Sequence, residues 1–260
     1  MLTICLSQND DNIQNQVLDL IKTNIKTYPS TSRYSNGDKQ EFTSINGVKQ
    51  GPSVYYFSNG NRREYTYKDG VIQGPSVDYR SNGNREEFTY KDGVIQGPSI
   101  YYFRNGNREE LNYIDGVVNG PSIIYYNNGN REEFTYVKNI KQGKGIGHFS
   151  NGDRVEYIYI DGIKQGPSIL FMSNGDRREF NYINGIEQGQ GFWFSSHGHK
   201  EEFTYVDGVK QGSSVMYYGG KNKGDKEEYT YIDGVKQGSF VYYFINGRKH
   251  IGSYKNGERD

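Results

Sequence analysis

One cysteine, Cys5, stands in 260 residues, so no intrachain disulfide can form, and the chain suits a reducing compartment. Tryptophan is nearly missing too, with Trp193 alone, and proline is held to 6. No apolar run approaches the roughly 20 residues that span a bilayer, so a transmembrane protein is not expected. The apolar start Met1–Leu6 is too short for a secretory signal core and lacks a basic flank, which argues against secretion. Neither sign of charge dominates: Lys+Arg 31 balances Asp+Glu 31, and the charges are interspersed. A nucleic-acid partner, which calls for a net basic face, is therefore not expected.

What is present is glycine, tyrosine and phenylalanine, at 34, 25 and 13. Mean hydropathy is low, at −0.90, yet aromatics reach 15%. Disordered chains are poor in aromatics, so this pairing points to β-structure punctuated by glycine turns.

The glycines are periodic. Gly51, Gly74, Gly97, Gly120, Gly143, Gly166, Gly189 and Gly212 recur every 23 residues, and Gly238 follows after a three-residue insertion near Gly219–Lys223. A second series runs from Gly37 and Gly60 to Gly247, and a third from Gly47 and Gly70 to Gly257. The third is broken once, by Asn139, and Asn is the residue best able to replace Gly at positive φ. Within one unit, Ser99–Phe103 is strand-like, Asn105-Gly106 is a hairpin signal, Glu109–Tyr113 is a second strand, and Asp115-Gly116 is another turn. Each unit is thus one hairpin plus a link, with antiparallel strands.

Columns emerge from the period. Three residues past the leading glycine stand Val54, Val77 and Ile100; five past stand Tyr56, Tyr79 and Tyr102. The second strand repeats Tyr65, Phe88 and Phe134, then Tyr67, Tyr90 and Tyr136 two residues on. The simplest sheet places these four columns on one side. An Arg62/Arg85/Arg108 column and a Glu64/Glu87/Glu110 column read as a solvated salt-bridge ladder on the opposite side of the second strand. Stability then comes mostly from the aromatic columns and neighbour stacking.

The column four residues past the leading glycine holds Tyr55, Asp78, Tyr101, Ile124, Gly147, Leu170, Trp193, Met216 and Tyr242. It changes from unit to unit while the packing columns change little, and alternation points it away from the aromatic columns. Tyr55, Tyr101, Leu170, Trp193, Met216 and Tyr242 are therefore the candidate partner-facing residues; the alternative is a second half-buried face or scattered surface apolars.

Catalytic and metal signatures are weak. His197-x-His199 flanks a turn glycine without the three or four ligands of a zinc site. A column of equivalent glutamates lacks the two distinct environments of an acid–base pair, and neither a phosphate loop nor a nucleophile elbow occurs. No catalytic residue, metal or cofactor is assigned, and an enzyme is not expected.

The run Tyr90-Lys91-Asp92-Gly93-x-x-Gln96-Gly97, followed by aromatics and Asn105-Gly106-Asn107-Arg108, resembles the MORN repeat. The resemblance covers residues 34–260, as about nine units preceded by a half unit. The chain departs from the usual pattern in a regular way. Glu86 and Phe88 take the family's tyrosine and first glycine, Tyr90 takes its tryptophan, and Gly74-Pro75-Ser76 replaces a glycine-x-glycine core. That core survives at Gly143-Lys144-Gly145 and Gly189-Gln190-Gly191, and the last unit returns toward the family form with Gly252 and Tyr254. The Asn-, Ile-, Lys- and Tyr-rich wording resembles MORN-like arrays of giant viruses.

The resemblance implies an all-β, elongated single-layer antiparallel sheet of stacked hairpins. It also implies a protein-interaction scaffold with a protein partner or self-association. Phospholipid headgroups, glycans or a toxin bound in antitoxin fashion are the alternatives. The single cysteine points to the cytoplasm or another reducing compartment, and the likeness to giant-virus arrays implies a virus- or host-cytoplasm association. Residues 1–33 are too few for a catalytic domain. Leu2–Leu6 reads as a short strand, and Asn12–Lys26, with Ile13, Val17, Leu20, Ile21 and Ile25 on one side, as an amphipathic helix that caps the array, with a partner-docking or membrane-surface helix as the alternative.

Overall fold

The computed structural model describes residues 27–260. The expected cap elements at 2–6 and 12–26 lie outside the described residues. The described residues fall into two compact units: one comprises residues 27–104 with Ile114–Gly116, the other Asn105–Tyr113 with Val117–Asp260. Each is all-β, built from antiparallel hairpins as the repeat requires. Among the described residues, the one helical element is the single 3-10 turn Gly220–Asn222, inside the insertion.

In the first unit, β1 (Thr27–Arg33) pairs with β2 (Lys39–Ile45), β2 with β3 (Val48–Tyr56), and β3 with β4 (Arg62–Lys68). Strand β1 lies in the stretch the sequence assigns to the cap. Its Tyr28-Pro29-Ser30 stands opposite Ser44, Thr43 and Phe42, much as Gly51-Pro52-Ser53 stands opposite Tyr67, Thr66 and Tyr65. The second unit repeats the pattern, with Ile140–His148 paired to Arg131–Val137 and Arg154–Ile160, and Ile163–Phe171 to Arg154–Ile160 and Arg177–Ile183.

Two turns alternate. The Asp-Gly links place both residues at positive φ, as in Asp69 (52°) and Gly70 (80°), the geometry of a tight type I′ turn. At the broken position, Asn139 holds φ 68° beside Lys138 at 51°. Its side chain also accepts a hydrogen bond from the Val118 backbone N–H at 2.8 Å. The Asn-Gly hairpins close differently. The Phe57 N–H bonds the Asn61 carbonyl at 2.9 Å, leaving three loop residues with Gly60 at φ 85°.

That odd loop corrects the expected faces. It pairs Tyr56 with Arg62 and Val54 with Glu64, while Ser53 meets Tyr65 and Gly51 meets Tyr67. Residues directly opposed in an antiparallel pair share a face. The Val54 and Tyr56 columns therefore lie with the Arg/Glu ladder, not with Tyr65 and Tyr67. The ladder itself forms as expected: Arg62 reaches Glu64 at 2.9 Å, Arg85 reaches Glu87 at 2.8 Å, and Lys226 reaches Glu228 at 2.7 Å. Its guanidinium groups also rest on aromatic rings, Arg62 over Tyr79 and Arg177 over Phe194, each 4.3 Å from the centroid.

The other face is the buried one, here called the tyrosine face. It carries Tyr65, Phe88 and Tyr90 in the first unit and Phe134, Tyr157, Phe180, Phe203, Tyr229 and Tyr254 in the second. A large ring stands opposite a small residue in each pair: Ser76 with Phe88, Ser122 with Phe134, Gly191 with Phe203. A Cβ on Gly191 would lie 2.5 Å from the Phe203 ring. The last hairpin reverses the order, with Phe240 on the first strand and Gly252 on the second. The sum of sizes is conserved, not the position, as close packing demands.

Ser168→Phe, opposite Phe180, should overpack this layer and cost about 1–3 kcal/mol. Adding Phe180→Gly recreates the Phe240/Gly252 arrangement and should recover more than half of the loss, measured by urea unfolding of both variants against the parent.

Candidate functional site

The tyrosine face also holds a polar column that the sequence reading passed over. Gln40, Arg63 and Glu86 belong to it in the first unit; Glu109, Glu132, Val155, Arg178, Glu201 and Glu227 belong to it in the second. Seven of the nine precede a ring by two residues and a tyrosine by four, while Gln40 is followed by Phe42 and Ser44 and Glu109 by Leu111 and Tyr113; strand alternation puts each such set on one side. Doubled acids such as Glu86-Glu87 carry the signal: the second acid belongs to the ladder and the first faces the tyrosines.

These groups are tied to the tyrosines one repeat further on. The Gln40 amide donates to the Tyr65 and Tyr67 hydroxyls at 2.6 and 3.2 Å. Arg63 donates to Tyr90 at 2.9 Å and forks onto Asp78. In the second unit the Tyr157 and Tyr159 hydroxyls both donate to Glu132 Oε1, the latter at 2.8 Å, and Tyr126 donates to Oε2 at 3.1 Å. Tyr229 and Tyr231 do the same for Glu201 at 2.5 and 2.7 Å, with Lys210 on its other oxygen at 2.7 Å. Glu227, at 0% exposure, accepts from Tyr218, Tyr254 and Arg259. Buried carboxylates persist only when so paired.

The electrostatics follow. Burial works against ionised Glu132, but the Tyr157 hydrogen bond, Lys141 and Tyr159 outweigh it and hold its carboxyl below the usual range. At Glu201, burial is likewise overcome by Lys210 and the two tyrosines. At Glu109 burial wins over Tyr136 and Ser122, and the carboxyl is pushed up. Tyr126 is pushed up to about 12 by burial and the charge on Glu132.

The partner-facing candidates lie on this same face, not opposite it. Tyr55 donates to Asp38 at 2.7 Å and lies tilted against Phe57, with ring centroids 4.7 Å apart. Tyr101 accepts from Asn84 at 2.9 Å. Both belong to the first unit. In the second, Leu170, Trp193, Met216 and Tyr242 pack half-buried over the aromatic core. Trp193 and Met216 line one depression of about 340 Å³ with Met172, Arg178, Glu201, Lys210, Tyr231 and Lys236. A second depression, of about 390 Å³, opens where Gly147 and Val155 replace bulkier residues of their columns, with Glu132, Tyr157 and Lys164 among its lining.

His199 takes the place of the turn Asn or Asp: its Nδ1 accepts the Gly219 N–H at 3.0 Å, as Asn130 Oδ1 accepts the Ser150 N–H. Among the described residues, no group of three or more His, Cys, Asp or Glu is placed to hold a metal, and no helix is long and apolar enough to cross a membrane.

No family model matches the chain, and no curated protein matches it. Among solved structures, it is similar to the TCP domain of SAS-4 (dCPAP) of Drosophila melanogaster, in complex with a proline rich motif of Ana2 (dSTIL). Identity is 11%, covering 87% of this chain and 90% of that one, with a TM-score of 0.25. So low a score has no bearing on function.

Lowered carboxyl values mean that Glu132 and Glu201 stabilise the fold above their ordinary 4.5 and lose that contribution as pH falls through their folded values. Glu132→Gln and Glu201→Gln should therefore flatten the acid loss of stability below about pH 4.5, seen in urea midpoints from about pH 3 to 7. Glu109 has the opposite sign: its contribution is full below 4.5 and lost as pH rises through its raised value. Relative to the parent, Glu109→Gln should gain with rising pH.

Proposed function

We propose that this protein is a non-enzymatic, MORN-like repeat scaffold that docks a protein partner on the tyrosine face of the second unit. One observation carries the reading. A regular frame of glycine turns and buried rings presents a row that changes at each repeat: Ile124, Gly147, Leu170, Trp193, Met216 and Tyr242. A rigid frame with varied, half-buried apolar side chains suits specific recognition, with aromatic anchors supplying much of the binding energy. The resemblance of the repeat to MORN units supports the same reading. The ladder face supports it less, since Arg177, Lys200 and Lys226 there already have their carboxylates. Anionic lipid requires a basic cluster, and the chain carries a net charge of zero.

The test is paired capture and sedimentation. A Trp193→Gln, Met216→Gln double variant should lose the protein retained by the parent chain, whereas Arg177→Gln on the ladder face should keep it. Light scattering on the same samples reports whether that protein is a second copy. Equal capture by both variants, or salt-sensitive sedimentation of the parent with anionic vesicles in place of protein capture, overturns the reading.

A further inference from the structure

Five cationic side chains in the second unit stand on the tyrosine face just after the link turns: Lys141, Lys164, Lys210, Lys236 and Arg259, each opposite a tyrosine. Four have a carboxylate. Lys210 holds Glu201 at 2.7 Å, Arg259 holds Glu227 at 2.8 Å, and Lys141 and Lys164 lie 3.7 and 3.9 Å from Glu132. Lys236 has none within ion-pair distance among the described residues. Its ammonium sits 3.8 Å from the Tyr229 ring centroid and 5.1 Å from that of Tyr254. The nearby acids are already occupied: Glu227 by Tyr218, Tyr254 and Arg259, and Glu201 by Tyr229, Tyr231 and Lys210.

Lys236 lines the same depression as Met172, Trp193 and Met216. Arg178, also in the lining, spends its terminal nitrogens on Tyr205 and Glu187 and keeps a buried Nε without a hydrogen-bond partner. The depression thus has an apolar wall of one indole and two thioethers, and three cations against one carboxylate, Glu201. Burial lowers the Lys236 ammonium from its ordinary value, and an incoming carboxylate would offset that effect.

Resting on the scaffold reading, we infer that this depression takes a partner peptide segment in which an apolar side chain adjoins a carboxylate. The side chain enters between Met172, Trp193 and Met216, and the carboxylate meets Lys236. Thioethers adapt to varied apolar shapes, and the indole supplies a rigid wall. A peptide fits better than a lipid surface because the unmatched charge is one ammonium beside a small apolar hollow, not a broad basic field.

Trp193 is the single tryptophan of the chain, so its emission reports this site directly. The full chain is titrated with a short synthetic peptide carrying Leu-Glu pairs in a Gly-Ser frame, and with two controls in which Glu becomes Gln or Leu becomes Ser. The expected result is a saturable shift with Leu-Glu that weakens at least about ten-fold with either control. Lys236→Gln should bind Leu-Glu and Leu-Gln peptides alike while melting within a few degrees of the parent, and Lys200→Gln on the ladder face should behave as the parent. Equal binding of all three peptides, no response to Leu-Glu, or an unchanged Glu preference in Lys236→Gln overturns the inference. If the Trp193/Met216 variant still loses partner capture while the Leu-Glu peptide fails, the scaffold reading stands and the peptide chemistry falls.

Discussion

The loop between Phe57 and Asn61, and its equivalents in later hairpins, fixes a parity on which the remaining structure depends. Three loop residues, closed by a glycine in the left-handed region, put Tyr56 across from Arg62 and Ser53 across from Tyr65. A two-residue loop at the same place would shift the pairing by one and send each second-strand side chain to the other face. With the observed parity, one side of the sheet collects rings, small residues and a polar column, and the other collects the ladder. The Asp-Gly links then carry the chain to the next hairpin without changing sides.

On the tyrosine face, apolar burial and polar pairing depend on each other. Tyrosine rings fill the layer, and their hydroxyls need acceptors once buried. Glu132, Glu201 and Glu227 provide them, and the tyrosines in turn satisfy carboxylates that would otherwise be costly to bury. Because each bond reaches from one repeat to the next, the network couples neighbouring hairpins beyond their backbone ladders, the nearest-neighbour coupling that repeat arrays rely on. The exposed ladder pairs add only about 0–1 kcal/mol each. The outer turns add backbone latches, as where Gln142 donates to Asp161 at 2.8 Å and accepts from its N–H.

Much of this was legible in the sequence. The 23-residue period gave strands, turns and ladder, and Asn139 was rightly read as a glycine substitute. The faces were not, because column counting within a strand says nothing about parity across a loop, which rests on the Phe57–Asn61 hydrogen bond. The same gap hid Glu132 and Glu201: beside Glu133 and Glu202 they look like ladder charges until the strand is given a side. Trp193 and Met216 stood out as variable residues, but their joining of Lys236 in one depression depends on strand register, bulge and side-chain reach together. The Ser/Phe and Phe/Gly exchange between Ser168/Phe180 and Phe240/Gly252 was present in the sequence as compensating sizes, and becomes readable once the register is known.

The most direct test of this account is a double-mutant cycle between Glu132 and Tyr159, residues on second strands of successive repeats, using Glu132→Gln and Tyr159→Phe with unfolding free energies at neutral pH. A buried, charge-assisted bond across the repeat boundary predicts a coupling of about 1–3 kcal/mol. Strict additivity of the two substitutions would contradict the claim that tyrosine-to-carboxylate bonds join one hairpin to the next.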